Sequence, residues 1–195
     1  AFARAVAEEL GYVFIEKEAA ALRNRKDIVE LLREADQRAK RRSKMLLLFI
    51  DECHRLTVRQ QEVFYFPMSE YRVDEGDEHW YQMAPFTLFC ATTRMEMLDE
   101  HSFVSRFQNV WEMKPLHGVI IEQILAGRFA TLGVVCEFGF VQRLARMCNG
   151  IPRTAVNLAK KVRNHVIAGG RRQVIVKDIE RVMELEELGV LDWGK

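Results

Sequence analysis

The sequence predicts an α/β chain in which a parallel sheet comes first and a small all-α bundle follows. The run MLLLFI (45–50) is apolar on both strand faces, as in the central strand of a sheet covered on both sides. Two other short apolar runs, YVFI (12–15) and FTLFC (86–90), are set apart from it by helical periodicities, the alternation that builds parallel sheets. Beyond Pro115 the strand patterns nearly stop and helical stripes take over, which divides the chain into residues 1–115 and 116–195.

Each element has a local reason. AFARAVAEELG puts Phe2, Val6 and Leu10 on one helical stripe and closes on Gly11, the residue best suited to a left-handed cap. A helix already under way at residue 1 suggests a chain that begins mid-structure. YVFI reads as a short buried strand. From Asp27 to about Arg42, Ile28, Leu31, Leu32, Ala35 and Ala39 form an apolar stripe. Lys40, Arg41 and Arg42 suit the negative end of that helix and read as a solvated terminus rather than a nucleic-acid patch. After MLLLFI, Thr57 is an N-cap with Gln60 at the capping-box position, opening a helix toward Tyr71. RVDEGDEHWYQ (72–82), acidic and Gly-containing at its centre, suits a short hairpin or loop. FTLFCATTR is a buried strand ending in polar residues, and NVWEM (109–113) reads as another. Helices follow at about 119–131, 138–148, 154–167 and 178–187.

A chain of 195 residues can bury one or two cores, and with 49% apolar and 29% charged residues it has an ordinary globular composition. A net charge of +1 gives no global attraction to nucleic acid or membrane, so any DNA contact must come from a local basic face. Cys53, Cys90, Cys136 and Cys148 lie far apart without a C-x-x-C pair and read as small core residues in a reducing cytosol. Neither a membrane-length apolar stretch nor the layout of a signal peptide is present, so a cytoplasmic location is expected. His54 and His79 lack a second ligand at helical spacing, which argues against a metal site other than Mg²⁺.

The chemistry begins where MLLLFI ends in Asp51 and Glu52. Open parallel sheets bind ligands at the C-terminal ends of their strands. There Asp51 can help hold a hydrated Mg²⁺ that bridges nucleotide phosphates, and Glu52 can orient and deprotonate a water. The alternative is that the two acids merely begin a polar loop. Thr92 and Thr93 close the next strand, suited to hydrogen-bonding the water or γ-phosphate, or simply to capping the strand. FVSRF puts Arg106 at the end of a short helix, able to reach a neighbouring subunit's γ-phosphate, or to pair with an acid. GIPRTAVNLAKKV opens a helix with Arg153 in its first turn, able to report on nucleotide from the lid side, or simply solvated.

In this order, strand-Asp-Glu, strand-Thr-Thr-Arg, Ser-Arg-Phe and Gly-x-Pro-Arg resemble an AAA+ ATPase. FIDECHRL, PFTLFCATTR, SRFQNVWEM and NGIPRTAVNLAKKVRN, with FYFPMSEY, resemble the RuvB family of Holliday-junction branch-migration motors over nearly the whole chain. The resemblance implies an AAA+ P-loop NTPase-type sheet over 1–115 and a helical lid over 116–195. It assigns Asp51 and Glu52 to Walker B, Thr93 with Thr92 to sensor 1, Arg106 to a finger acting in trans and Arg153 to sensor 2. It further implies ATP and Mg²⁺ as cofactors and a hexameric ring that moves DNA.

Three departures qualify it. No G-x-x-x-x-G-K-[ST] occurs in the sequence, so the core is expected to be N-terminally truncated just after its phosphate cradle, with nucleotide affinity largely lost. The 71–85 region is shorter than the family's hairpin that docks RuvA, which puts a RuvA-like partner in doubt. A C-terminal winged-helix domain is also expected to be lacking. Rival readings are a DExH-box helicase, disfavoured by the helices after CATTR, a clamp-loader or transposition-regulator switch, and a non-catalytic ring subunit.

Overall fold

The structure is a computed structural model and describes residues 2–187. It forms two compact units, Ala1–Val110 and Trp111–Lys195.

The first unit is built on a parallel sheet of β1 (Val13–Glu18), β2 (Leu46–Asp51) and β5 (Phe86–Cys90), in the order β1-β2-β5. The register pairs Glu18 with Asp51 and Ile50 with Cys90, so all three strands end at one edge. β1 runs past the expected Ile15 because pairing with β2 continues to its end. Alternation along β2 covers both faces. Leu47 packs with Ala3 and Ala7 of α1 (Phe2–Glu9), while Leu46, Leu48 and Ile50 pack with Ile28, Leu32, Ala35 and Ala39 of α2 (Arg25–Arg41). Leu47, Leu48 and Ile50 are fully buried, each contributing about 2 kcal/mol of hydrophobic stabilisation.

α2 starts at Arg25, two residues before the expected Asp27, because Asn24 and Asp27 form a capping box. The helix expected from Thr57 to Tyr71 is two short ones, α3 (Val58–Glu62) and α4 (Tyr65–Glu70). Gln60 Oε1 accepts from the Thr57 amide at 2.8 Å, and its Nε2 donates to the Leu22 carbonyl at 2.6 Å. β3 (Arg72–Gly76) and β4 (His79–Gln82) form the antiparallel hairpin, turned by Asp77 and Glu78 with positive φ. Buried Asp36 of α2 fastens it, accepting from Tyr81 Oη at 2.7 Å and the Ala84 amide at 2.9 Å. No strand forms at 109–113. Val110 and Met113 are exposed there, and a short apolar run does not make a strand without a neighbouring edge to pair with.

The second unit packs α5 (Gly118–Leu132), α6 (Phe140–Met147), α7 (Pro152–Ala168) and α8 (Val176–Glu187) around Leu125, Phe129, Phe140, Leu144 and Val162. Its β6 (Val135–Cys136) and β7 (Gln173–Val174) are a minimal parallel pair. Gly150, at φ +72°, precedes α7 where a Cβ would lie 2.6 Å from the Leu116 carbonyl oxygen. That backbone is thereby held close, with the Leu116 amide donating to the Gly150 carbonyl at 2.8 Å. Among the described residues no helix is long and apolar enough to cross a membrane.

Asp178 is the buried charge of this unit. Burial pushes its carboxyl up, but the Arg171 guanidinium at 2.6 Å and the Ile175 amide at 2.9 Å outweigh that and hold it below the ordinary carboxylate range. A carboxyl with a depressed folded pKa contributes stability above its unfolded value and loses it as pH falls through the folded one. Asp178→Asn is therefore expected to lower the thermal midpoint at pH 7, with the difference from the parent shrinking as pH falls below about 4. Melting curves at the two pH values check this; a pH-independent difference would refer the effect to packing.

Candidate active site

The sequence's two acids sit where the sheet ends. Asp51 is the last residue of β2, half-buried, and its Oδ1 accepts from the Glu52 amide at 3.0 Å. Glu52 turns the chain in the left-handed region at φ 51° and ψ 44°, which costs a non-glycine residue about 1 kcal/mol or more. The bond from the Cys53 amide to the Ala91 carbonyl, 2.8 Å, and that from the Ala91 amide to the Ile50 carbonyl, 3.0 Å, carry β2–β5 pairing past the strand ends. This tie sets the residues after β5 directly beside the acids.

Thr92 and Thr93 are those residues. Thr93 Oγ1 donates to Glu52 Oε2 at 3.3 Å. His54 Nδ1 lies 3.1 Å from the same Oε2 and 3.0 Å from Thr92 Oγ1. Nδ1 is thus within hydrogen-bonding distance of both oxygens, and, a carboxylate being an acceptor only, the contact with Glu52 is attractive in the form that carries a proton on Nδ1. Thr92 Oγ1 also accepts from the Arg94 amide at 2.9 Å, which fixes the turn that presents both threonines. One oxygen of Glu52 is thus held from two sides, while Oε1 has no protein partner among the described residues. An oriented carboxylate with one free oxygen at the mouth of a parallel sheet can accept a proton from a bound water.

His54, two residues from Glu52, reads from the sequence as a residue that orients contacts around the acids rather than as a catalytic candidate, and it stands beside Glu52 and Thr92. His79, the other histidine weighed, is exposed on the hairpin with Nδ1 2.8 Å from the Asp77 carbonyl. Behind the acids the thiols of Cys53 and Cys90 hydrogen-bond to each other, which lowers the first and, with burial, raises the second. Neither is in a disulfide.

Arg106 ends a short turn, Val104–Arg106, and is exposed. Its Nε donates to the Ser102 carbonyl at 2.9 Å, and its guanidinium carbon lies 4.3 Å from the centre of the Tyr65 ring. No ion pair with an acid forms among the described residues. Arg153 is the second residue of α7 in the other unit and is exposed. The structure therefore brings Asp51, Glu52, Thr92 and Thr93 together, with Arg106 elsewhere in the same unit.

Residues 1–113 match the family of the Holliday junction DNA helicase RuvB P-loop domain, more than half the chain. The chain belongs to the RuvB family. The RuvB subunit of the branch migration complex from Bdellovibrio bacteriovorus is 36% identical over 155 residues, 76% of this chain and 46% of that protein. The one from Parasynechococcus marenigrum is 32% identical over 177 residues, 87% of this chain and 49% of that protein. The chain thus spans about half the length of these RuvB relatives. A solved structure of the Thermotoga maritima RuvB branch migration motor superposes with a TM-score of 0.78 at 24% identity, covering 94% of this chain and 56% of that one. A mutant of the same protein gives 0.80 at 24% identity. At that identity the likeness speaks for the fold, a parallel P-loop sheet followed by an all-α lid.

These findings correct one expectation. The reading of residues 1–115 as an N-terminally truncated core without its P-loop domain does not hold, because the RuvB P-loop domain is what residues 1–113 match. The error was to equate a domain with one motif. Over the matched residues α1 and α2 cover the two faces of β1-β2-β5.

Proposed function

We propose that this chain is the ATP-hydrolysing part of a RuvB-type motor, which couples hydrolysis to DNA translocation and branch migration in recombination and repair. One observation carries the reading. In a RuvB-family domain, Glu52 is held by His54 and Thr93 on one oxygen and left open on the other, beside Asp51 at the strand ends.

In this reading residues 1–115 are the nucleotide-binding core and 116–195 the lid, of which 188–195 lie outside the described residues. ATP is the substrate, and Mg²⁺ neutralises charge on its phosphates. Mg²⁺ takes one or two carboxylates and otherwise water and phosphate oxygens, a demand the oxygen donors at Asp51 meet. Asp51 would hold it, Glu52 would orient the attacking water and take its proton, and Thr92 and Thr93 would keep Glu52 and the water in register. Arg106 would serve a neighbouring subunit's γ-phosphate, and Arg153 would sense nucleotide from the lid. The active form is a ring, expected to be a hexamer in the cytoplasm, acting on DNA with or without a RuvA-like partner.

The test is a synthetic four-way junction given ATP and Mg²⁺. Separation of the junction into duplex arms supports the motor. Slow hydrolysis with the junction left intact would point to a clamp-loader type of switch, and no hydrolysis to a structural ring subunit. His54→Ala is expected to lower kcat roughly 10-fold with KM for ATP little changed, since it frees Glu52 to rotate without touching ATP. Steady-state kinetics check this, and an unaltered kcat would detach His54 from the chemistry.

A further inference from the structure

Some arginines of the unit are paired with acids and others, such as Arg38 and Arg59, form no ion pair among the described residues; of these unpaired ones Arg106 is set apart by lying over an aromatic ring. Arg4 sits on Glu16 at 2.8 Å, Arg25 on Asp74 at 2.7 Å and Arg72 on Glu70 at 2.7 Å. Arg106 instead rests on a neutral surface, the Tyr65 ring, with Nε turned back to its own turn's Ser102 carbonyl. Its Nη1 and Nη2 have no protein partner among the described residues. The cation is therefore held in direction without being neutralised, and the two nitrogens suited to bidentate phosphate binding are the two left open.

The support beneath it is built from several elements. The Asp99 amide donates to Oε1 of buried Gln61 at 3.1 Å, and Asp99 Oδ1 accepts from the Ser102 amide at 2.9 Å. Phe103 is fully buried between Phe64 and Phe107, with ring centres 6.2 and 5.3 Å away. Tyr65 opens α4, and burial raises its phenol pKa while the neighbouring Ser102 side chain draws it back down. Ser102 is thus a common neighbour of the two side chains, and its carbonyl accepts from Arg106 Nε.

We propose that Tyr65 is a positioning residue for Arg106, holding the guanidinium by its ring face so that Nη1 and Nη2 meet the neighbouring subunit's phosphate in one orientation. This rests on the reading of Arg106 as a finger acting in trans. A long side chain otherwise samples many rotamers, and each contact with a transferring phosphoryl group depends on geometry at the ångström scale. An acid in place of Tyr65 would orient the arginine equally well but compete with phosphate for it. An aromatic ring orients it and competes little, because its attraction to the cation is weak at an exposed site.

The test compares Tyr65→Leu with Tyr65→Phe in the assembled protein. Tyr65→Leu removes the ring face and is expected to lower kcat for ATP about 10- to 100-fold with KM little changed. Tyr65→Phe keeps the face and is expected to restore most of the rate, and Tyr65→Leu should cost nothing further in an Arg106→Ala background. A wild-type kcat for Tyr65→Leu beside an inactive Arg106→Ala overturns the positioning role alone; a wild-type kcat for Arg106→Ala overturns the finger reading beneath it. A second measurement needs no hydrolysis and no variant that might misfold. The Arg106 Cδ-proton NMR signals of the unmodified protein, which no hydrogen bond perturbs, should be shifted upfield by the ring, and signals at the position of a free arginine overturn the proposal.

Discussion

Arg106→Ala is expected to reduce ATP hydrolysis by roughly 10³-fold or more while leaving ATP affinity and folding nearly unchanged. The size follows from the role. A cation delivered to the γ-phosphate is worth most when charge develops in the transition state and little in the bound ground state. The small effect on folding follows from the structure, since Arg106 is exposed and its stacking on Tyr65 is worth only about 0.5–1 kcal/mol. Calorimetry for ATP binding and phosphate release for hydrolysis separate the two. Mixing supplies the sharper check. If the finger acts in trans, combining Arg106→Ala subunits with Glu52→Gln subunits rebuilds interfaces with an intact arginine on one side and an intact carboxylate on the other, and hydrolysis partly returns. Inactive mixtures that still assemble would put the arginine to work within its own subunit, and loss of ATP binding in the single variant would make it a ground-state contact.

Much of this arrangement can be read from residues in order. Asp51 and Glu52 follow one buried strand and Thr92 and Thr93 another, and parallel neighbours finish at the same edge, so their meeting needs only the strand assignment. The helical stripes after Pro115 are long and periodic enough to announce α5 to α8. What escaped depends on features that a pattern of apolar residues does not carry. The start of α2 lies with Asn24 and its reciprocal bonds to Asp27, a polar signal placed before the stripe begins. The 109–113 run looks like a strand but has no partner edge, and pairing is a property of the sheet rather than of the run. Within the site, the bond from His54 to Glu52 relies on the left-handed turn at Glu52, and the seat of Arg106 on Tyr65 relies on side-chain rotamers 41 positions apart in sequence. The expectation of a truncated core failed for a further reason, since it weighed one loop motif above the packing of an entire domain.

Glu52→Gln is the second large effect, and it tests the water side of the reaction as Arg106 tests the phosphate side. The substitution is nearly isosteric, and an amide oxygen can still accept from both His54 Nδ1 and Thr93 Oγ1 in the place of Oε2. The left-handed turn and the bond from the residue-52 amide to Asp51 do not involve the side chain's charge, so the fold and the Asp51 carboxylate stay as they are. What disappears is the group able to take a proton, for which a loss in kcat of about 10²- to 10⁴-fold is expected with ATP binding preserved. The variant also decides what His54 is for. If His54 acts by holding Glu52, then His54→Ala added to Glu52→Gln should cost nothing more, because a positioned base and its support work as a unit. If the two losses multiply instead, His54 meets water or phosphate on its own account, through the Nε2 that faces away from Glu52.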